Sequence, residues 1–146
     1  MITYVSDEIA IGDSQDARAA NQDKFDATLC VAIDLDICDK VDPDVRNYNA
    51  RRHKVGLYDG PGNHPMLFAA AVMTLESLVN QNKRVLVHCH AGQSRSVMVA
   101  SAWVAYKKLS SLDDALAQIM ATRKISIYRQ DLYALAQQAL EILKKI

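Results

Sequence analysis

Apolar residues fall along this 146-residue chain in two kinds of run. Short continuous runs at residues 27–33 and 85–87 read as buried strands, and an alternating run at 53–58 as a strand with one wet face. Other stretches repeat at three and four residues, as helices do. Phe68, Ala71, Val72, Leu75 and Val79 make one face behind Pro65, a favoured first-turn residue. Leu112, Ala115, Leu116, Ile119 and Met120 make a second behind Ser111 and Asp114, which resemble a capping box, and Leu132, Leu135, Ala136, Ala139, Leu140 and Leu143 make a third. Residues 97–106 are apolar almost all round, as in a buried helix. All these stripes are assigned to core, and no cofactor is expected. Their order predicts an α/β fold, a mixed or parallel central sheet flanked by helices, with residues 1–146 as a single domain.

The chemistry concentrates where the 85–87 strand meets the 97–106 helix. Val87-His88-Cys89-His90-Ala91-Gly92-Gln93-Ser94-Arg95-Ser96 sets a cysteine and an arginine at the ends of a loop of small residues. Such a loop opens on a helix N-terminus, where unpaired N–H groups and the helix dipole favour an anion, and Ala91 and Gly92 leave it room. In that field a cysteine is expected to ionise below its usual range, so Cys89 is the candidate nucleophile. Arg95 brings a planar fork of donors able to grip two phosphoryl oxygens. His90, Ala91, Gly92, Gln93, Ser94 and Arg95 are the candidate phosphate-binding positions. Ser96 can reach back to the sulfur, His88 would anchor the loop, and His90 is read as lining the pocket or facing solvent. On a strand His88 and His90 point away from Cys89, which disfavours a metal site made of the three.

The segment His-Cys-x-Ala-Gly-x-Ser-Arg-Ser resembles the signature of the cysteine-dependent dual-specificity protein phosphatases, within the protein-tyrosine phosphatase superfamily. The resemblance runs over most of the chain. Ile9 to Asp13 looks like that family's opening strand and turn, and residues 91–108 and 111–123 are similar to its two helices after the loop. The resemblance implies a phosphatase working through a phosphocysteine intermediate, with Asp59, 30 residues before Cys89, as general acid. Without it, Asp59-Gly60-Pro61-Gly62 reads equally as a plain turn. Asp131 and Asp114 are the next acid candidates. One stretch departs from the family. Where it carries Arg-Pro-x-x-x-Pro-Asn, a support for the phosphate loop, this chain has Arg123-Lys124-Ile125-Ser126-Ile127-Tyr128-Arg129, with neither proline nor asparagine.

Charge and composition narrow the alternatives. Lys plus Arg and Asp plus Glu both number 17, and without a basic stripe or interleaved aromatics no nucleic acid is expected as partner. The charge is uneven: residues 1–50 carry 4 basic against 11 acidic groups and residues 51–146 carry 13 against 6. That asymmetry reads as salt bridging within one fold or as a cationic half facing an anionic substrate. Three cysteines without a leader-like segment point to a reducing, cytoplasmic setting, and no apolar run is long enough for a membrane span. Cys30 and Cys38 read as core and loop residues, with nothing in the spacing bringing either close to Cys89. The acidic 34–44 segment lacks the glycine and terminal glutamate of a calcium loop.

The expectation is therefore a monomeric hydrolase acting on phosphotyrosine, phosphoserine or phosphothreonine in proteins, without metal or cofactor. Inositol phosphates, RNA 5′-triphosphate ends and a non-catalytic phosphate-binding module stay open. Sulfur-transfer and arsenate-reducing proteins share the Cys-x5-Arg loop as minor alternatives. Gln93 and Ser94 are neutral where phosphoinositide-directed members of the family tend to carry lysine, which favours phosphoprotein.

Overall fold

The computed structural model of the chain describes residues 1–18, 24–35, 52–81 and 83–146. Among them are five strands, β1 Thr3–Tyr4, β2 Ile9–Gly12, β3 Ala27–Ala32, β4 Arg52–Leu57 and β5 Val85–His88, and four helices, α1 Pro65–Asn80, α2 Arg95–Lys108, α3 Leu112–Thr122 and α4 Gln130–Leu143. The strands form one sheet in the order β1-β2-β5-β3-β4. Only β1 runs antiparallel, so the sheet is mixed, with β5 parallel to a neighbour on each side. Central β3 and β5 are the continuous apolar runs; β4, the alternating one, lies at an edge and stays half-exposed. The two-residue β1 carries no sequence signal of its own.

The large core cluster joins Ile9, Ile11, Leu29, Val31, Val85 and Val87 to side chains from all four helices, and a smaller one gathers Ala10, Ala17, Phe25 and Leu86. Every residue of α2 from Arg95 to Ala105 is buried. That burial explains its lack of a polar stripe and fixes its N-terminus at the carboxyl end of β5. Helix starts follow the sequence signals. Pro65 opens α1, capped by His64 Nδ1 accepting from Met66 N–H at 3.0 Å, and Ser111 Oγ caps α3 by accepting from Asp114 N–H at 3.0 Å. The acidic segment is described only at Asp34 and Leu35; Cys38 and the rest of 36–44 lie outside the described residues.

Candidate active site

The loop between β5 and α2 folds tightly around the cysteine sulfur. Cys89 is only 3% exposed. Its Sγ accepts the Gly92 N–H at 3.3 Å and lies 3.3 Å from Ser96 Oγ. Gly92 sits at φ +68, and a Cβ there would lie 2.6 Å from the Gly12 carbonyl oxygen, so this turn of the loop admits glycine alone. No side chain caps α2: Ser94, its N-cap residue, turns its hydroxyl to the Ile127 carbonyl at 3.0 Å. The helix's first N–H groups are thereby left for an anion.

Arg95 begins the helix and is 5% exposed. Its Nη1 donates to Leu57 O at 2.9 Å and to Asp34 Oδ1 at 2.5 Å. Its Nε is buried with no partner among the described residues. Holding one corner of the guanidinium leaves the opposite edge to a ligand with paired oxygens. The Arg95 hydrogen bond also keeps the Asp34 carboxyl below the usual carboxylate range. Behind the loop, burial pushes the His88 imidazole down to about 4, so it is neutral near pH 7. Its Nδ1 lies 3.3 Å from the Cys89 carbonyl, where an Nδ1–H donates to the loop.

A cavity of about 510 Å³ opens over the sulfur, lined by Cys89, His90, Ala91, Gln93, Ser94 and Arg95 from the loop and also by Asp59. The sequence-derived residues thus meet at one place. Gly92, Ser96 and His88 support it from behind, and His90 both lines it and is exposed. Asp59 lies on a bend pinned by Asn63, whose Oδ1 accepts from Tyr58 N–H at 2.8 Å and whose Nδ2 donates to Tyr58 O at 3.0 Å and Gly60 O at 3.2 Å. Beside it, Arg129 Nε stands 3.9 Å from Asp59 Oδ1. Arg129 is already engaged by Asp131, through Nε at 3.2 Å and Nη2 at 3.0 Å. That pairing turns Asp131 toward Arg129, and the Asp114 N–H donates to the Ser111 cap at the start of α3; neither lines the cavity.

The departing stretch at 123–129 still braces the loop, by other means. Arg123 is completely buried. Its Nε donates to Gly92 O at 2.7 Å, and its Nη1 to Met1 O at 2.8 Å and Thr3 Oγ1 at 2.9 Å. Ile127 N–H donates to Gln93 O at 2.8 Å. Backbone groups, which any residue supplies, thus tie the stretch to the loop without its missing prolines and asparagine. Asp34 and Arg129 are site residues that the motif reading passes over, and Arg123 is the one residue of the family's supporting stretch that this chain keeps. A second correction concerns Cys30, which spacing along the chain separates from Cys89. Strands β3 and β5 are neighbours, and Cys30 stands in register with His88, one residue from Cys89. Its thiol makes only a weak contact with Ala32 O at 3.5 Å, and burial pushes its pKa up.

Among the described residues no group of three or more His, Cys, Asp or Glu is placed to hold a metal ion, and no helix is long and apolar enough to cross a membrane. The family model for the dual-specificity phosphatase catalytic domain matches residues 16–137. No curated protein shows significant sequence similarity to the chain. Solved structures similar to it include human DUSP28, with 21% identity and a TM-score of 0.75 over 98% of this chain and 95% of that one. Tk-PTP in its active form is 19% identical, with a TM-score of 0.73 over 96% of each chain. The human tyrosine phosphatase-like serine/threonine/tyrosine-interacting protein is 17% identical, with a TM-score of 0.78 over 98% of this chain and 97% of that one. At these identities the likeness is one of fold.

Proposed function

The chain belongs to the dual-specificity phosphatase family, and from that premise we propose that residues 1–146 act as one catalytic domain hydrolysing phosphomonoesters of proteins through a phosphocysteine intermediate. The observation that carries the reading is the environment of Cys89: its sulfur receives the Gly92 N–H and faces the Ser96 hydroxyl, beside an arginine whose buried Nε has no partner among the described residues. In the first step the Cys89 sulfur attacks phosphorus in line. The S–P bond forms as the ester O–P bond breaks, and Asp59 gives its proton to the leaving oxygen. Arg95 and the loop N–H groups hold the equatorial oxygens. In the second step water attacks phosphorus and passes a proton to the Asp59 carboxylate. The S–P bond breaks, inorganic phosphate leaves, and the Ser96 hydroxyl steadies the departing sulfur.

Asp59 can serve both steps because it lines the same cavity as Cys89. The intact thiol, arginine and loop favour turnover over phosphate binding alone, and a reducing compartment such as the cytoplasm suits a working thiol. The reading is tested by turnover of an aryl phosphate in chelator, with Cys89→Ser alongside. The expected result is full metal-independent activity in the parent, and in the variant vanadate binding without turnover. Loss of activity on chelation, or turnover by Cys89→Ser, would sink it.

A further inference from the structure

We propose that Lys54, on the edge strand β4, is a positioning residue for the reaction: its ammonium clamps the turn that carries Asp34, and through Asp34 it sets the guanidinium of Arg95. The proposal rests on the phosphatase reading above and adds a residue that does not line the cavity over the sulfur.

Arg95 Nη1 has two acceptors, and both stand where β3 and β4 end. One is Leu57 O, on the last residue of β4, and the other is Asp34 Oδ1, just beyond β3. The two strands reach these positions out of step. Cys30 pairs with Lys54 but Ala32 with Leu57, so β4 takes three steps where β3 takes two, a bulge immediately before the site. The chain after β3 then folds back on β4. Ile33 N–H donates to Leu57 O at 3.1 Å, and Leu35 N–H closes the turn on Ala32 O at 3.3 Å. Leu57 O thereby receives Ile33 and Arg95 together. The packing is close, because a Cβ on Gly56 would lie 2.8 Å from Ile33 Cα.

This backbone frame leaves the tip of the turn open. The Asp34 side chain is 54% exposed, and an exposed aspartate ordinarily keeps several rotamers and exchanges water for its partners. Its carboxylate nevertheless serves as a fixed acceptor for a buried arginine. Lys54 supplies the restraint. Its Nζ donates to Ile33 O at 3.1 Å and to Leu35 O, the carbonyls of the two residues that flank Asp34. An ammonium carries three donors on a flexible stem, which suits it to bridging two carbonyls. With both neighbours held, Asp34 has little backbone freedom left, and one corner of the Arg95 guanidinium is fixed while its other edge is kept for a phosphoryl group. Without the clamp the tip shifts, and the guanidinium shifts with it.

The experiment measures kcat and KM on an aryl phosphate for the parent chain, Lys54→Met, Lys54→Gln and Lys54→Arg, and for Lys54→Met combined with Asp34→Ala. Methionine has nearly the length of lysine and no donors. Lys54→Met is expected to lose about tenfold in kcat/KM, mostly in kcat, less than the roughly 10² of a full 1 Å misplacement because the turn keeps its backbone hydrogen bonds. Lys54→Gln, too short to span both carbonyls, should show the same loss, and it decides the matter if Lys54→Met does not fold. Lys54→Arg, with donors for both carbonyls, should recover most of the activity. The loss should persist in about 1 M salt, where the Debye length of about 3 Å removes any long-range attraction of the substrate. In the Asp34→Ala background Lys54→Met should cost less than about twofold, since the turn then carries nothing to Arg95. Parent-like kcat in both Lys54→Met and Lys54→Gln, a loss abolished by salt, or equal losses with and without Asp34 would overturn the proposal and leave the phosphatase reading standing. No turnover by the parent chain would overturn both.

Discussion

Replacing Gly92 by alanine tests how tightly the phosphate loop is specified. The residue sits at φ +68, a left-handed conformation that costs a non-glycine residue roughly 1–2 kcal/mol. The added Cβ would lie 2.5 Å from Arg123 Nη2, 2.6 Å from Gly12 O and 2.9 Å from Gly12 C. Two of these three atoms are backbone of β2, and the third belongs to a guanidinium held by four hydrogen bonds. None can yield as an exposed side-chain tip would. Overpacking adds roughly 1–3 kcal/mol, so a loop kept in place would lose about 2–5 kcal/mol in all. The cheaper response is for the loop to move, which breaks the Gly92 N–H to Cys89 Sγ hydrogen bond. A misplacement of about 1 Å at a reacting group costs on the order of 10² in rate. The control is Gly60→Ala: its Cβ would meet the end of Arg129 at 3.3 Å and Asp131 Oδ2 at an ordinary 4.0 Å. The assay is kcat/KM on an aryl phosphate together with urea unfolding. Gly92→Ala is expected to lose about a hundredfold in kcat/KM, and Gly60→Ala less than about threefold. If Gly92→Ala kept parent activity and stability, the loop would not be held as described.

Asp59→Asn should cut phosphotyrosine turnover by about 10² to 10⁴ and turnover of an activated phenyl phosphate far less, because only the poorer leaving group needs the proton; equal loss on both would remove Asp59 from the acid role. Asp34→Asn keeps an acceptor for Arg95 and removes a charge, so it should tighten vanadate inhibition by roughly fivefold, the effect of a like charge in a half-solvated site. Weaker inhibition would mean that the carboxylate matters chiefly by holding Arg95. His88 falls from 6.5 unfolded to about 4 folded, so its contribution is complete above about pH 6.5 and is lost as the pH drops toward 4, about 3 kcal/mol in all. The lowered carboxyls of Asp34 and Asp131 act below their usual 3.8, so the fall in urea midpoint from pH 7 to 5 belongs to His88, and His88→Asn should flatten it.

What the sequence could show depended on how local each feature is. The β5 strand, the cysteine loop and the start of α2 are consecutive, so their chemistry was readable as a motif, and the helix starts at Pro65 and Ser111 were readable because a cap lies beside what it caps. Asp59 needed a family pattern, since Asp-Gly-Pro-Gly is sufficient for a turn. The partners of Arg123 and Asp34 could not be read this way. Arg123 finds Gly92, Met1 and Thr3 from 31, 122 and 120 residues away, and Asp34 finds Arg95 across 61. Only the crossing order β2-β5-β3 creates these neighbours, and the same order brings Cys30 beside the site. The apparent defect at 123–129 was misleading for a related reason: Ile127 replaces side-chain support with backbone hydrogen bonds, which leave no trace in residue type.

The central claim is that a phosphoryl group passes through the sulfur of Cys89. It is tested most directly by rapid acid quench of the Asp59→Asn variant mixed with an activated aryl phosphate, followed by mass spectrometry of the intact chain and its peptides. That substrate needs no acid for its first step, and the variant lacks the base for the second, so the intermediate should accumulate. The account predicts one added phosphoryl group per chain, carried on the peptide containing Cys89 and absent from Cys89→Ser. Steady release of phosphate with no adduct at Cys89, or the same adduct on another residue in Cys89→Ser, would contradict it.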